Sequence, residues 1–145
     1  MPCEFCGVAD KFGAPKIKEY KYWTVYLNTN QSYLGWCTIR LNRHLEDFFD
    51  INEKELSEFF RITKKLRDAA KELFCPDMFN YATLGNTVHH VHLHFIPRYS
   101  RKVEFTGYVF EDARWKKNYA PYDIDLKIPP NTLTEIRNAL ADKLK

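Results

Sequence analysis

The sequence predicts an α+β fold built on an antiparallel sheet. Short segments rich in β-branched and aromatic residues occur in neighbouring pairs, as in β-hairpins. Two segments with apolar residues at helical spacing lie apart from these pairs, one in the middle of the chain and one at its end. Because strands and helices do not alternate regularly, the pattern favours an antiparallel sheet.

Four strands are predicted in two pairs. They comprise residues 22–27, 33–41, 79–84 and 90–96. The polar run 28–32 joins the first pair, and a short turn at Gly85 and Asn86 joins the second. Pro97 is expected to end the last strand, because proline lacks the N–H that a central strand needs.

The middle helix is predicted to begin at Asn52 and to end before Pro76. Asn52 and Glu55 have the spacing of a capping box, which satisfies free N–H groups at a helix start. The predicted apolar face comprises Leu56, Phe59, Phe60, Leu66, Ala70 and Leu73. The basic residues of this helix are interleaved with acidic ones, which favours a solvated outer face over a phosphate-binding surface.

A second helix is predicted after Pro129 and Pro130, near the end of the chain. Thr132 and Glu135 have capping-box spacing there. The apolar stripe of this helix comprises Leu133, Ile136, Leu140 and Leu144. The aromatic residues between 105 and 122 are expected to form a second packing layer, a wall that stacks on a nucleobase, or a dimer arm.

Length and composition limit the class of protein. The chain has 145 residues and a net charge of +3, which predicts one domain over residues 1–145 and argues against nucleic-acid partners. No apolar run is long enough to span a membrane, so no membrane partner is expected. No secretory signal is visible, so a cytoplasmic location is expected. Four cysteines without a signal favour a reducing compartment.

Four of the five histidines lie between residues 89 and 94. Alternate side chains of a strand share a face, so His90, His92 and His94 are expected on one face and apolar residues on the other. Two chemistries fit three aligned imidazoles: a catalytic metal site with an open position, or nucleophilic catalysis by a neutral imidazole.

The residues around the histidines favour nucleophilic catalysis at a phosphate. Gly85, Asn86 and Thr87 precede the strand, and the backbone and side-chain donors of such a turn can bind an anion. Arg98 and Arg101 follow the strand and are expected to add positive charge to the same site.

The run His90-Val91-His92-Leu93-His94-Phe95-Ile96 resembles the signature of the histidine-triad family, in which three histidines alternate with apolar residues. The likeness extends from Cys3 to about Tyr99. It includes Leu34-Gly35 before one strand and Arg43-His44 after it. The resemblance implies a histidine-triad fold, usually a homodimer, and activity as a nucleotide hydrolase or transferase.

The resemblance also implies roles for individual residues. His92 is expected to be the nucleophile that attacks an α-phosphorus, and His94 to contact non-bridging phosphate oxygens. His90, the first histidine of the triad, is counted with them among the catalytic residues. Asn86 and Thr87 take the position that binds phosphate or the leaving group, and Asn28 the position that contacts the ribose. Trp36 departs from the pattern, since many members of the family carry a histidine there.

The cysteines of Cys3-x-x-Cys6 fit a redox pair, half of a zinc site or a metal-free loop. Some branches of the family that the sequence resembles carry such a pair together with a histidine after the second strand. The resemblance therefore implies a structural zinc ion held by Cys3, Cys6, His44 and His90. Residues 1–16 then form a zinc loop, and residues 103–145 a C-terminal extension.

The expected substrate is a dinucleoside polyphosphate or a nucleoside phosphoramidate, cleaved at the α-phosphate through a nucleotidyl-histidine. Two alternatives remain open. One is a nucleotidyl transferase or phosphorylase of the same superfamily, although the triad ends in His94 and not in the glutamine typical of transferases. The other is a nucleotide-binding protein with little turnover.

Overall fold

The computed structural model describes residues 3–6 and 13–145. The rest of the predicted amino-terminal loop, residues 1–2 and 7–12, lies outside the described residues. The described part is built on a five-stranded antiparallel sheet with the order β1-β2-β3-β5-β4. Its strands are Lys16–Glu19 (β1), Trp23–Leu27 (β2), Cys37–Leu41 (β3), Met78–Ala82 (β4) and His92–Arg98 (β5).

Two α-helices and a small hairpin accompany the sheet. They are Glu53–Phe74 (α1), Pro130–Lys143 (α2), Val103–Phe105 (β6) and Tyr108–Phe110 (β7). The predicted α+β fold, with an antiparallel sheet, one long helix and a C-terminal helix, is confirmed. The division of residues 1–145 into one domain with a zinc loop and an extension stays a prediction. Among the described residues, no helix is both long and apolar enough to cross a membrane.

The predicted hairpin of the first strand pair forms, but β3 is shorter than expected. It begins at Cys37, because the residues before it form a turn around Gly35, whose φ is +86°. The buried side chain of Gln31 donates to the carbonyls of Asn28 and Trp36 and accepts from the N–H of Gly35. Hydrogen bonds within a local turn leave no periodic signal, so the sequence pattern extended the strand through the turn.

The second strand pair also departs from its predicted limits. β4 ends at Ala82, and residues 83–91 form a longer connection than the expected short turn. β5 begins at His92 and continues through Pro97 to Arg98, so the prediction that Pro97 ends the strand is wrong. Proline is tolerated there because β5 pairs with β3 only from His92 to Phe95.

The two faces of the sheet have different roles. On one face, Val25, Ile39, Leu93 and Phe95 are buried in the main hydrophobic core. The buried apolar residues of α1 and α2 belong to the same core, so both helices cover this face. The opposite face carries His92 and His94, paired across the strands with Arg40 and Thr38. Core packing on one face therefore fixes which side chains the other face presents.

The helices begin and pack partly as the sequence predicts. The capping box of Asn52 and Glu55 forms at the start of α1. Two residues of the predicted apolar face are instead exposed, Leu56 by 49% and Phe60 by 70%. At α2 the predicted capping box is wrong, because Pro129 is the N-cap and Thr132 lies buried within the helix. The buried residues of α1 are Glu55, Ile62, Leu66, Ala69, Ala70 and Phe74.

Arg98 and Arg101 do not contribute to a phosphate site as the sequence indicated. The buried Arg98 guanidinium makes a two-bond ion pair with Asp112, at 2.7 and 3.1 Å. It also donates to Asn80 Oδ1 and to the carbonyls of residues 114 and 117. Arg101 pairs with Asp77. Arg98, the last residue of β5, instead attaches the segment after β7 to the sheet.

Candidate active site

His92 is held in one orientation by the backbone that precedes β5. Its Nδ1 lies 2.6 Å from the carbonyl oxygen of His90, so Nδ1 carries a proton that it donates to this acceptor. The other ring nitrogen, Nε2, then carries a lone pair. Burial lowers the pKa of His92, and the charge of Arg40 lowers it further. The structure thus presents a neutral imidazole suited to nucleophilic attack.

His94 is oriented by Trp36. The indole Nε1–H of Trp36 donates to His94 Nδ1 over 3.2 Å, and Trp36 is almost fully buried. Because the indole can only donate, Nδ1 must accept, and the proton of the neutral ring lies on Nε2. Burial lowers the pKa of His94 to about 4, with further lowering by His92 and Arg40. His94 is therefore a neutral donor beside His92.

His92 and His94 line a cavity of about 420 Å³. The sequence-predicted residues Asn28, Asn86 and Thr87 all line it. Asn86 and Thr87 lie on the exposed connection before β5, where Gly85 adopts a φ of +67°. The structure thus brings the residues of three separate chain segments to the same cavity.

Arg40 is a cavity residue that the sequence reasoning missed. It lies opposite His92 in the sheet, and its guanidinium lies 3.9 Å from the ring centre of Phe5 and 4.0 Å from that of Tyr26. Stacking between two rings fixes the plane of the group and leaves its charge close to the cavity. No local sequence pattern marks Arg40, because its place in the cavity follows from the pairing of β3 with β5.

Tyr119 and Tyr122, in the C-terminal extension, also line the cavity. Their rings pack against Trp36, at centroid distances of 5.9 and 4.8 Å. By contrast, Phe105 and Phe110 pack with the main core. The aromatic segment therefore divides, with one part forming a packing layer and one part forming a wall of the cavity.

A possible metal site lies beside the start of β5. It comprises Cys3, Cys6, His44 and His90, whose ligand atoms all lie within 4.8 Å of one another. His90 Nδ1 is 3.3 Å from Cys3 Sγ, 3.4 Å from Cys6 Sγ and 3.3 Å from His44 Nδ1. Two imidazole nitrogens bound to one tetrahedral zinc ion are roughly 3.3 Å apart. These four residues therefore have the geometry to hold a metal ion.

The ring of His90 belongs to this cluster and does not line the cavity. Its Nε2–H donates to the carbonyl of Leu41 over 2.7 Å, which leaves the Nδ1 lone pair facing the cysteines. His44 Nε2 lies 3.6 Å from Glu46 Oε1. Such partners on the outer nitrogen orient metal-binding histidines. The link of His90 to the cavity is its carbonyl, the acceptor for His92.

Comparison with known proteins agrees with this combination of fold and alternating histidines. The family model described as HIT domain matches residues 13–101. The protein named Protein hit from Bacillus subtilis is 24% identical over 148 residues, covering 98% of this chain and 94% of that protein.

Solved structures share the fold. A histidine triad protein from Bradyrhizobium japonicum has a TM-score of 0.79 at 19% identity, covering 99% of this chain and 100% of that one. A Zn-bound histidine triad family protein from Mycobacterium smegmatis has a TM-score of 0.61 at 20% identity, covering 97% of this chain and 94% of that one.

The fold and the site define a class of protein in which two histidines of one strand line a cavity, beside four residues able to hold a metal ion. The chain belongs to the HIT domain, or histidine-triad, family, because the family model covers more than half of its length.

The lowered pKa of His94 predicts that acid destabilises the fold. An unfolded histidine binds a proton below about pH 6.5, whereas folded His94 stays neutral down to about pH 4. The stability that His94 contributes is therefore complete above pH 6.5 and is lost as the pH falls towards 4. The free energy of unfolding of the wild type should therefore fall between pH 7 and pH 5. In His94→Gln we expect this fall to be smaller by about 1 to 2 kcal/mol.

Urea unfolding of both proteins at the two pH values measures this difference. His89→Gln, which replaces an exposed histidine outside the cavity, is the control and is expected to follow the wild type. Equal losses in wild type and His94→Gln would contradict the assignment of a neutral, partly buried His94.

Proposed function

We propose that this chain is a nucleotide hydrolase that cleaves at an α-phosphate through a nucleotidyl-histidine on His92. The observation that carries the proposal is the 2.6 Å hydrogen bond from His92 Nδ1 to the His90 carbonyl. It directs the Nε2 lone pair away from the backbone, and His92 lines the cavity. A neutral imidazole with a fixed tautomer is the form in which histidine acts as a nucleophile.

The proposed reaction has two displacements at phosphorus. First, the Nε2 lone pair of His92 forms a bond to the α-phosphorus, and the bond to the leaving group breaks with its electron pair on that group. Then a water oxygen bonds to phosphorus, the phosphorus–nitrogen bond breaks, and His92 recovers its lone pair while the proton of the water passes to solvent. The products are a nucleoside monophosphate and the leaving group, a polyphosphate chain or an amine that takes up a proton.

The neighbouring residues have defined roles in this proposal. His94, with its proton on Nε2, donates to a non-bridging oxygen, where negative charge increases in the transition state. Asn86 and Thr87, which also line the cavity, contact phosphate or the leaving group. Asn28 follows β2 and contacts the ribose. His90 contributes to the chemistry through its carbonyl, as the acceptor that orients His92.

Replacing the nucleophile is expected to abolish the covalent step. His92→Asn removes the lone pair that attacks phosphorus, so we expect turnover of diadenosine tetraphosphate to fall by at least about a thousandfold. Rapid quenching without acid, followed by intact-protein mass spectrometry, should show an adenylyl adduct on the wild type and none on His92→Asn.

His89→Asn, which changes a histidine outside the cavity, is the matched control and should keep both the adduct and the turnover. Turnover retained in His92→Asn would overturn the assignment of the nucleophile. Adenylyl transfer to added phosphate, in place of hydrolysis, would instead identify a phosphorylase that uses the same intermediate.

We further propose that the metal held by Cys3, Cys6, His44 and His90 is zinc. Two thiolates and two imidazoles form a closed tetrahedral set of the kind found at structural zinc sites. The similar fold of the Zn-bound protein from Mycobacterium smegmatis supports the choice of metal. Bound zinc would join the segment containing Cys3 and Cys6 to the residue whose carbonyl orients His92.

Metal analysis tests this site independently of catalysis. The purified chain should contain one zinc ion per molecule, and Cys6→Ser or His44→Asn should lower that content severalfold, because each removes a ligand. His92→Asn and His89→Asn should retain the zinc, since neither is a ligand. Loss of zinc in His92→Asn would point to a metal site built from the triad itself.

We also propose that the chain forms a homodimer through β4. Within the described residues, β4 pairs only with β5, and its sequence Met-Phe-Asn-Tyr-Ala carries no charge. The opposite edge strand, β1, carries Lys16, Lys18 and Glu19, which disfavour edge pairing. Apolar side chains are exposed on and near β4, with Tyr81 exposed by 49% and Leu84 by 57%.

The dimer predicts a mass of twice 17.3 kDa in light scattering coupled to gel filtration. Tyr81→Arg places a charge on the proposed interface and should shift the mass to that of the monomer. Val109→Arg changes an exposed apolar residue on the separate β6–β7 hairpin and should leave the dimer intact. A monomeric wild type would contradict the proposal.

A further inference from the structure

The turn that carries the two cysteines also places a ring in the cavity. Within residues 3–6, the N–H of Cys6 donates to the carbonyl of Cys3 over 3.2 Å. These two cysteines belong to the four possible metal ligands, whereas Phe5, which lies between them in sequence, lines the cavity. One short turn of the chain therefore contributes to both sites.

The Phe5 ring contacts the histidine strand and the strand beside it. It meets the imidazole of His92 edge to face, with ring centres 5.1 Å apart and planes at 88°. A similar contact with His90 has a centroid distance of 5.7 Å and an angle of 76°. The guanidinium of Arg40, which lies opposite His92 on β3, is 3.9 Å from the centre of the Phe5 ring. Edge-to-face ring pairs and cation–π stacking are both attractive, so these contacts hold the ring against the nucleophile of the proposed reaction.

The stack continues from Phe5 through Arg40 to β2. The guanidinium of Arg40 also lies 4.0 Å from the ring centre of Tyr26, so it is held between two rings. Tyr26 precedes Asn28 by two positions, and Asn28 lines the same cavity. Displacement of Phe5 would remove one of the two rings that hold Arg40, together with one surface of the cavity.

A bound metal would restrain Phe5 from both sides in sequence. Cys3 precedes Phe5 by two residues and Cys6 follows it directly, and both are possible ligands of the same ion. With both sulfurs bound, the turn could not shift away from the sheet without the loss of a metal–sulfur bond. The metal would therefore favour the arrangement in which Phe5 lies against His92 and Arg40.

A nucleotide in the cavity would favour the same arrangement. Phe5 is part of the cavity surface, so a ligand that contacts it binds more tightly when the ring is in place than when it is displaced. Two ligands that favour one conformation of a protein raise each other's affinity, and thermodynamic linkage makes the two factors equal.

We propose that metal binding and nucleotide binding are coupled in this protein, and that the ring of Phe5 carries the coupling. This inference rests on the proposed function and on the proposed zinc site. It gives the metal a role beyond the fold, because a chain without metal keeps His92 and His94 but offers the nucleotide a less complete cavity. The supply of zinc would then regulate the affinity for the nucleotide.

Four dissociation constants measure the coupling. The probe is AMP, the monophosphate that the proposed reaction releases from adenosine-containing substrates. Isothermal titration calorimetry gives its Kd for the wild type and for Phe5→Leu, each loaded with zinc and after removal of zinc by a chelator. Because coupling between two sites typically changes affinity by about 5- to 150-fold, we expect removal of zinc to weaken AMP binding to the wild type about tenfold. In Phe5→Leu, which keeps an apolar side chain but loses the ring, the change should be less than about twofold.

The reverse measurement follows the metal instead of the nucleotide. Competition with a chelator of known affinity gives the Kd for zinc with and without saturating AMP. In the wild type, AMP should tighten zinc binding by the same factor of about ten. Phe5→Tyr keeps the ring and should keep the factor. Phe60→Leu makes the matched change at a ring that is 70% exposed on α1 and belongs to neither site, so it should behave as the wild type.

The outcomes separate the coupling from the proposals on which it rests. An AMP affinity that is equal with and without zinc would overturn the coupling and leave the proposed function and the zinc site standing. Coupling that persists in Phe5→Leu would overturn the role of the ring. That result is expected if zinc only keeps the chain folded, because every ligand of the folded state is then linked to zinc.

Two further results would overturn the coupling together with one of its premises. Zinc-loaded wild type that neither binds AMP nor forms an adenylyl adduct on His92 would overturn the proposed function as well. A wild type that forms the adduct but has no measurable affinity for zinc would overturn the zinc site and leave the proposed function standing.

Discussion

The register of β5 between β3 and β4 is the constraint on which the site depends. Leu93 and Phe95 are buried in the core, and this burial determines that the alternate residues, His92 and His94, face the cavity. A shift of the pairing by one residue would bury the imidazoles and expose the apolar side chains, which would strongly destabilise the fold. The same pairing places Arg40 and Thr38 opposite the two histidines. Packing on one face of the sheet therefore arranges the chemistry on the other.

His90 connects the four possible metal ligands to the cavity, because it makes three separate contacts. Its Nδ1 faces the cysteines, its Nε2 donates to Leu41, and its carbonyl accepts from His92. A bound metal would fix the ring, and fixing the ring restricts the peptide whose oxygen orients the nucleophile. If the proposed metal is bound, the cysteine pair, 87 positions before His90 at Cys3, would help to hold His92 in the tautomer that the proposed reaction needs.

Local patterns predicted the parts of this structure that local physics determines. Strict alternation placed His92 and His94 on one face, and the spacing of Asn52 and Glu55 placed the start of α1. Two of the errors occurred where distant partners decide. Arg98 binds Asp112 in the interior because a buried carboxylate is available there, and no pattern around β5 contains that information. The exposure of Phe60 likewise depends on how α1 meets the sheet, which helical periodicity does not specify.

The exchange of histidine for tryptophan at position 36 restricts the chemistry of the site. A histidine beside His94 can donate or accept, so the pair can exchange protons and adopt more than one tautomer. An indole has one donor and no acceptor, so His94 Nδ1 is held as an acceptor and its Nε2–H as the donor. His94 is then fixed with its Nε2–H as a donor towards the cavity, the role that the proposed reaction gives it, and it cannot pass a proton to residue 36. The ring that enforces this tautomer also contacts Tyr119 and Tyr122, so the orientation of His94 and the aromatic surface beyond it depend on the same side chain.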